Sequence, residues 1–282
     1  MNRRDFLITF TWCTLGWGLV PEAVARNLTI HNDGHSENHD DHIRDYLQKM
    51  KNFNKPHKDD IWIDQKMYST FESVVKRIRS LEQLAGHGNF QILSFDAGLK
   101  IAREYSEIGE FTKDETEFIE MIFHADALSY GFFGQKPLNS LTSRINKKDV
   151  YKVPYTGNYL YKGMPLETYN KINKLLGKEV ILTSGVRGIM KQFLLFLNKA
   201  YKHGGNLSLA SRSIAPPGYS FHGNGDFDVG KVGLGAANFT DRFATTDVYE
   251  RLSDLGYLKL RYPQDNMVGV RFEPWHIQMS SV

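Results

Sequence analysis

Two short stretches gather residues of the kind that hold a metal and move protons. "SFHGNGDFDVG", residues 220–230, sets His222, Asp226 and Asp228 among three glycines, and "EPWH" sets Glu273 three residues before His276. A catalytic zinc takes three ligands from His, Asp and Glu, leaves a further position for water, and brings the pKa of that water to about 7. His222, one aspartate and His276 make such a set, with Glu273 as a base beside it on what reads as a strand edge stiffened by Pro274. If Phe227 and Asp228 open a strand, Asp226 and Asp228 share one face of it, so both aspartates stay candidates. Either stretch alone is weak, because a histidine in a glycine-rich loop more often marks a turn than a ligand.

The elements that must position these residues read in order along the chain. Met67, Phe71, Val74, Val75, Ile78, Leu81 and Leu84 recur at helical spacing, and Gly86-His87-Gly88 ends the run. A second helix is expected over 97–108. Thr112 and Glu115 form a capping box ahead of a third, which carries Phe118, Ile119, Ile122 and Phe123. Residues 61–150 thus predict a helical extension without chemistry of its own. Farther on, residues 180–183 read as a strand and 189–201 as a helix ended by Gly204-Gly205, with Arg187 at the strand's exit; 247–255 reads as another helix, and strand character returns near the C-terminus. Elements out of strict βαβ order argue for an α+β fold: a small antiparallel sheet with flanking helices that carries the zinc site, preceded by the helical extension.

The remaining composition narrows the function. The chain has 282 residues, and 35 basic against 32 acidic residues leave a charge of +3, so no nucleic-acid partner is expected. Arg3 and Arg4 precede an apolar stretch, and Ala23 and Ala25 stand where a signal peptidase reads; residues 1–25 resemble a twin-arginine export signal cleaved after Ala25. Thr9, Thr11 and Thr14 interrupt the stretch, so no stable membrane anchor is expected after cleavage, and the mature chain is expected in the periplasm or outside the cell. The only cysteine, Cys13, lies in that signal, which leaves any metal site to His, Asp and Glu. The His- and Asp-rich stretch within 26–60 reads as a flexible linker.

"SGVR" followed by Gln192, then "APPGYSFHGNGDFD", then "EPWH" resemble in order and context the zinc D-alanyl-D-alanine carboxypeptidases of the VanY type, in the superfamily of lysostaphin-type peptidases and hedgehog domains. The resemblance covers roughly 151–282, read as the peptidase domain. It implies His222, Asp228 and His276 as zinc ligands and Glu273 as the general base. Arg187 would polarise the scissile carbonyl or pair with substrate, Gln192 and Ser220 would contact substrate, and Trp275 would support His276. The family spaces its first histidine and its aspartate by six residues, whereas five separate His222 from Asp228, which keeps Asp226 as the alternative.

The activity implied is hydrolysis of a peptidoglycan stem peptide or muropeptide, with release of terminal D-alanine by a D,D-carboxypeptidase. A murein endopeptidase or L,D-carboxypeptidase with the same zinc site is the nearer alternative. A non-catalytic zinc-stabilised binding module is the farther one, and Glu273 beside His276 speaks against it.

Overall fold

The segment expected to be a flexible linker carries a helix, α1 (Glu37–Lys51). The structure is a computed structural model that describes residues 37–279; the expected export signal and the first residues of the linker lie outside these. The helix has a physical cause in the residues just past the His/Asp run. Ile43, Tyr46, Leu47 and Met50 recur at helical spacing, Lys49 pairs with Asp45 one turn back at 2.7 Å, and the Tyr46 hydroxyl donates to the Asn266 carbonyl at 2.8 Å. Farther along, Asp60 is buried, salt-bridged to Arg212 and hydrogen-bonded by Asn206 at 2.7 Å, so the end of the segment is anchored as well.

The helical run follows as α2 (Tyr68–Ala85), the single turn α3 (His87–Phe90), α4 (Phe95–Glu104) and α5 (Lys113–His124). Gly86, with φ of +76°, stops α2, and both halves of the Thr112–Glu115 capping box open α5. A hairpin, β1 (Val150–Lys152) and β2 (Tyr159–Tyr161), leads to α6 (Met164–Leu176), which starts with Pro165 in its first turn. Then come β3 (Val180–Ser184), α7 (Ile189–Lys202), α8 (Leu207–Ser211), β4 (Phe227–Lys231), α9 (Asp247–Asp254) and β5 (His276–Ile277). Strands β3, β4 and β5 form an antiparallel sheet in that order, so the fold is α+β with small antiparallel sheets. No helix among the described residues is long and apolar enough to cross a membrane.

Two large cores hold these layers. Phe227, Val229, Ile277 and Leu182 on one face of the sheet pack with Tyr169 and Ile172 of α6 and with Val248 and Leu252 of α9. Since side chains alternate along a strand, Asp228 and His276 project from the other face. The second core joins Phe71 and Ile78 of α2 and Phe118 of α5 to Phe193, Phe196 and Leu197 of α7. The boundary expected near residue 150 therefore does not separate two cores: α7, which follows the site strand β3, belongs to the core of the helices before 150, and the chain from His42 onward forms one compact unit.

This shared core gives a prediction. The chain beginning at residue 42 melts in one cooperative transition, and Phe193→Ala, which empties a fully buried site, costs about 3–5 kcal/mol. A chain beginning at 151 exposes the buried face of α7 and shows no cooperative melt by circular dichroism; a sharp melt would restore the boundary at 150.

Candidate metal centre

Strand register builds the centre. Asp228 on β4 is the cross-strand partner of both His276 on β5 and Ser184 on β3. Thr183 is an extra residue in β3, and this bulge shifts the ladder so that Ser184, rather than Thr183, stands opposite Asp228. His222 comes from a single 3-10 turn, Phe221–Gly223, just before β4, and Gly225, with φ of +115°, carries the chain back toward the strand. Glu273 lies not on a strand edge, as expected, but in a turn closed by the bond from His276 N to the Glu273 carbonyl at 3.2 Å. Pro274 inside that turn has no N–H to give to a ladder.

His222, Asp228 and His276 are buried, and one ligand atom from each lies within 4.8 Å of the others. The nitrogens differ between the two histidines, and their hydrogen-bond partners say why. His222 Nδ1 donates to the Gly185 carbonyl at 2.8 Å, which turns Nε2 toward the centre. His276 does the reverse: Nε2 donates to Asp226 at 3.0 Å, and Nδ1 stands 3.1 Å from Asp228 Oδ1. Asp226, the alternative ligand, is thus the carboxylate that orients His276; it also accepts from Arg261 Nε at 2.5 Å and from Met279 N at 2.8 Å.

The electrostatics fit a cation. Burial, aided by Arg187, pulls His222 down to about 4, so its ring is neutral near pH 7 and Nε2 presents a lone pair. That nitrogen faces Asp228 Oδ1 at 3.2 Å, yet both atoms are buried without a hydrogen-bond partner. Two acceptors face to face in a dry site call for positive charge between them. Burial opposes a charge on His276, but the hydrogen bond to Asp226 and the negative charge of Asp228 beside it outweigh burial and raise the ring to about 9. Burial also opposes the Asp228 carboxylate, while His222 and Arg187 hold it well below the usual range. Burial pushes Glu273 the other way, up to about 7, against the pull of His276 and Arg271.

The other expected residues lie around a cleft lined by Arg187, Gln192, Ser220, His222, Glu273 and His276. Arg187 is 17% exposed, donating from Nη2 to Asp228 at 2.6 Å and from Nε to Ser184 at 2.9 Å. Gln192 is buried with both ends of its amide taken, by the Arg187 carbonyl and by Gly218 N, both at 2.9 Å; here it clamps the loop that carries Arg187. Trp275 packs on Phe239 and Arg271, while the ring against His276 is that of Tyr262, with centroids 5.3 Å apart. Sequence reasoning did not find Tyr262 and Arg261, which no motif marks, nor Ser184, whose role depends on the bulge.

Residues 166–281 match the model of the VanY family, described as D-alanyl-D-alanine carboxypeptidase. Among solved structures, the chain is similar to the LdcB LD-carboxypeptidase, in a study of peptidoglycan recognition, at 23% identity and a TM-score of 0.39 over 48% of this chain and 69% of that one. It is similar to VanYB in complex with D-alanine-D-alanine, at 23% identity and a TM-score of 0.39 over 54% and 86%. A mutant of the vancomycin resistance D,D-pentapeptidase VanY from the VanB-type cassette, in complex with Zn(II), gives 23% and 0.38 over 53% and 87%. No curated protein matches the chain.

The two aspartates should separate by experiment. Asp228→Ala abolishes stoichiometric metal binding, whereas Asp226→Asn keeps the ligand set and weakens affinity by roughly 10–100-fold, measured by competition with a chelating dye. Because His276 holds a proton below about 9, an incoming cation must displace it, so affinity rises with pH up to about 9. Titrating zinc into stripped protein near about pH 7.5 releases about one proton, read by calorimetry in buffers of different ionisation enthalpy.

Proposed function

We propose that this protein is a zinc carboxypeptidase that acts on peptidoglycan stem peptides and releases the terminal D-alanine of a pentapeptide stem. One observation carries the reading: two buried histidines and a buried carboxylate converge in a cleft beside Glu273, with His222 Nε2 and Asp228 Oδ1 facing each other without a hydrogen-bond partner. The family of residues 166–281 supports the choice of bond. The resemblance of residues 1–25 to an export signal supports a substrate outside the cytoplasm.

His222, Asp228 and His276 would hold the ion, and zinc in such a set supplies an acidified water and polarises a carbonyl. Glu273 is 12% exposed and raised to about 7, so it can take a proton from the attacking water and return it to the departing amine near neutral pH. Arg187 has Nε and Nη2 committed to Ser184 and Asp228, which fixes its guanidinium and leaves Nη1 to meet charge growing on the carbonyl oxygen. Leu195, Ile214 and Val270 give the cleft apolar walls that limit water around the reacting bond.

The test is mass spectrometry of a pentapeptide muropeptide incubated with zinc-loaded protein, its Glu273→Ala variant and a chelated control. Wild type alone removes one D-alanine, while Glu273→Ala keeps stoichiometric zinc and loses turnover by roughly 100-fold or more. An intact pentapeptide beside a trimmed tetrapeptide or an opened crosslink would move the reading to an L,D-carboxypeptidase or an endopeptidase.

A further inference from the structure

The cleft has a second arm, on the Asp228 side of Glu273, lined in part by Gln91, Thr183, Lys191, Ser213 and Arg271. Its charges are unequal. Arg187 is paired with Asp228 at 2.6 Å and Lys191 with Glu82 at 2.8 Å. Arg271 makes no ion pair or side-chain hydrogen bond among the described residues, and its Nε is buried without a partner. The guanidinium is nevertheless held in place, with its central carbon 4.8 Å from the ring centroids of both Phe53 and Trp275. The bond from Arg271 N to the Arg212 carbonyl at 2.9 Å draws the neighbouring Ser213 alongside.

Buried polar atoms without partners concentrate in this cleft. Gln91 Oε1, Thr183 Oγ1, Ser213 Oγ, His222 Nε2, Asp228 Oδ1 and Arg271 Nε all belong to residues that line it; His57 Nε2 is the seventh and belongs to a residue that does not. Four of these belong to side chains with no place in the metal centre or in the proton transfer: Gln91, Thr183, Ser213 and Arg271. A positioned guanidinium and a hydroxyl that line the same arm, both short of partners, match the fork of a carboxylate.

We propose that Arg271, with Ser213, forms a subsite that binds a carboxylate of the peptide substrate. The proposal rests on the peptidase reading, since it makes the substrate an anionic peptide lying across both arms of the cleft. The carboxylate can come from the free C-terminus or from an acidic residue within the peptide, and the experiment separates the two.

Zinc-loaded full chain with Glu273→Gln, which blocks turnover, is titrated with three probes by calorimetry. They are a pentapeptide ending in D-alanyl-D-alanine with one internal carboxylate, its C-terminal carboxamide, and its analogue with the internal carboxylate amidated. Adding Arg271→Gln weakens binding of the parent peptide by roughly tenfold or more, and leaves unchanged the already weaker binding of whichever analogue lacks the recognised group. Arg271→Lys, which keeps the charge but not the fork, falls between. An unchanged dissociation constant for the parent, an equal loss on all three probes, or no binding of the parent overturns the subsite. Turnover by the wild type, measured in parallel, judges the peptidase reading independently, because the titrations need no catalysis.

Discussion

Burying a carboxylate costs several kcal/mol unless opposite charge and hydrogen bonds meet it, and the cleft is organised around one that is 2% exposed, Asp228. Arg187 satisfies one of its oxygens at 2.6 Å, and the other faces two histidines. Arg187 must itself be held. Ser184 receives its Nε, Gln192 donates to its carbonyl, and its own amide donates to the His222 carbonyl at 3.3 Å. Gly185 adds to this knot because any Cβ there would collide with the Tyr159 carbonyl, so its own carbonyl stays close enough to fix the His222 tautomer. One buried charge thus ties together the end of β3, the start of α7 and the loop before β4.

That tie explains why the helices before residue 150 matter to chemistry they do not perform. Helix α7 begins at Ile189, two residues after Arg187, and its buried face lies in the core that α2 and α5 complete. Loosening this core frees the N-terminal end of α7, and with it the geometry of Arg187 and Gln192. The short sheet could not hold that end alone, since β5 contributes only two residues. Precision at the site is borrowed from the helical half.

What the sequence shows and what it hides divide along contact range. The helical spacing of 67–84, the Thr112 capping box and the strand at 180 are local patterns, and each element formed within a few residues of its expected bounds. The start of α6 is equally local, marked by Pro165 in its first turn. The spacing within "HGNGDFD" admits either aspartate, because what separates them is the pairing of Asp228 with His276 across 48 residues of chain. Helix α7 announces an apolar face without saying what covers it, and a boundary at 150 followed from that silence. Tyr262 and Arg261 carry no motif at all; only the turn that returns the chain to Glu273, with Glu273 N on the Tyr262 carbonyl at 3.1 Å, brings them to His276.

The two aspartates show why a site of this kind needs more carboxylate than a metal count suggests. A histidine with one nitrogen bonded to Asp226 and the other against Asp228 cannot swing away, since either motion would leave a buried carboxylate short of a partner. Tyr262 closes the third direction by packing on the ring. Held this way, His276 presents Nδ1 along one line only, and Asp226, itself neutralised by Arg261, adds basicity to that nitrogen without adding net charge to the cleft. Arg271 lines the same arm as Glu273; Phe53 and Trp275 hold its guanidinium in place, and no ion pair within 4 Å joins the two. Separation of these opposite charges keeps both available to a substrate that brings its own.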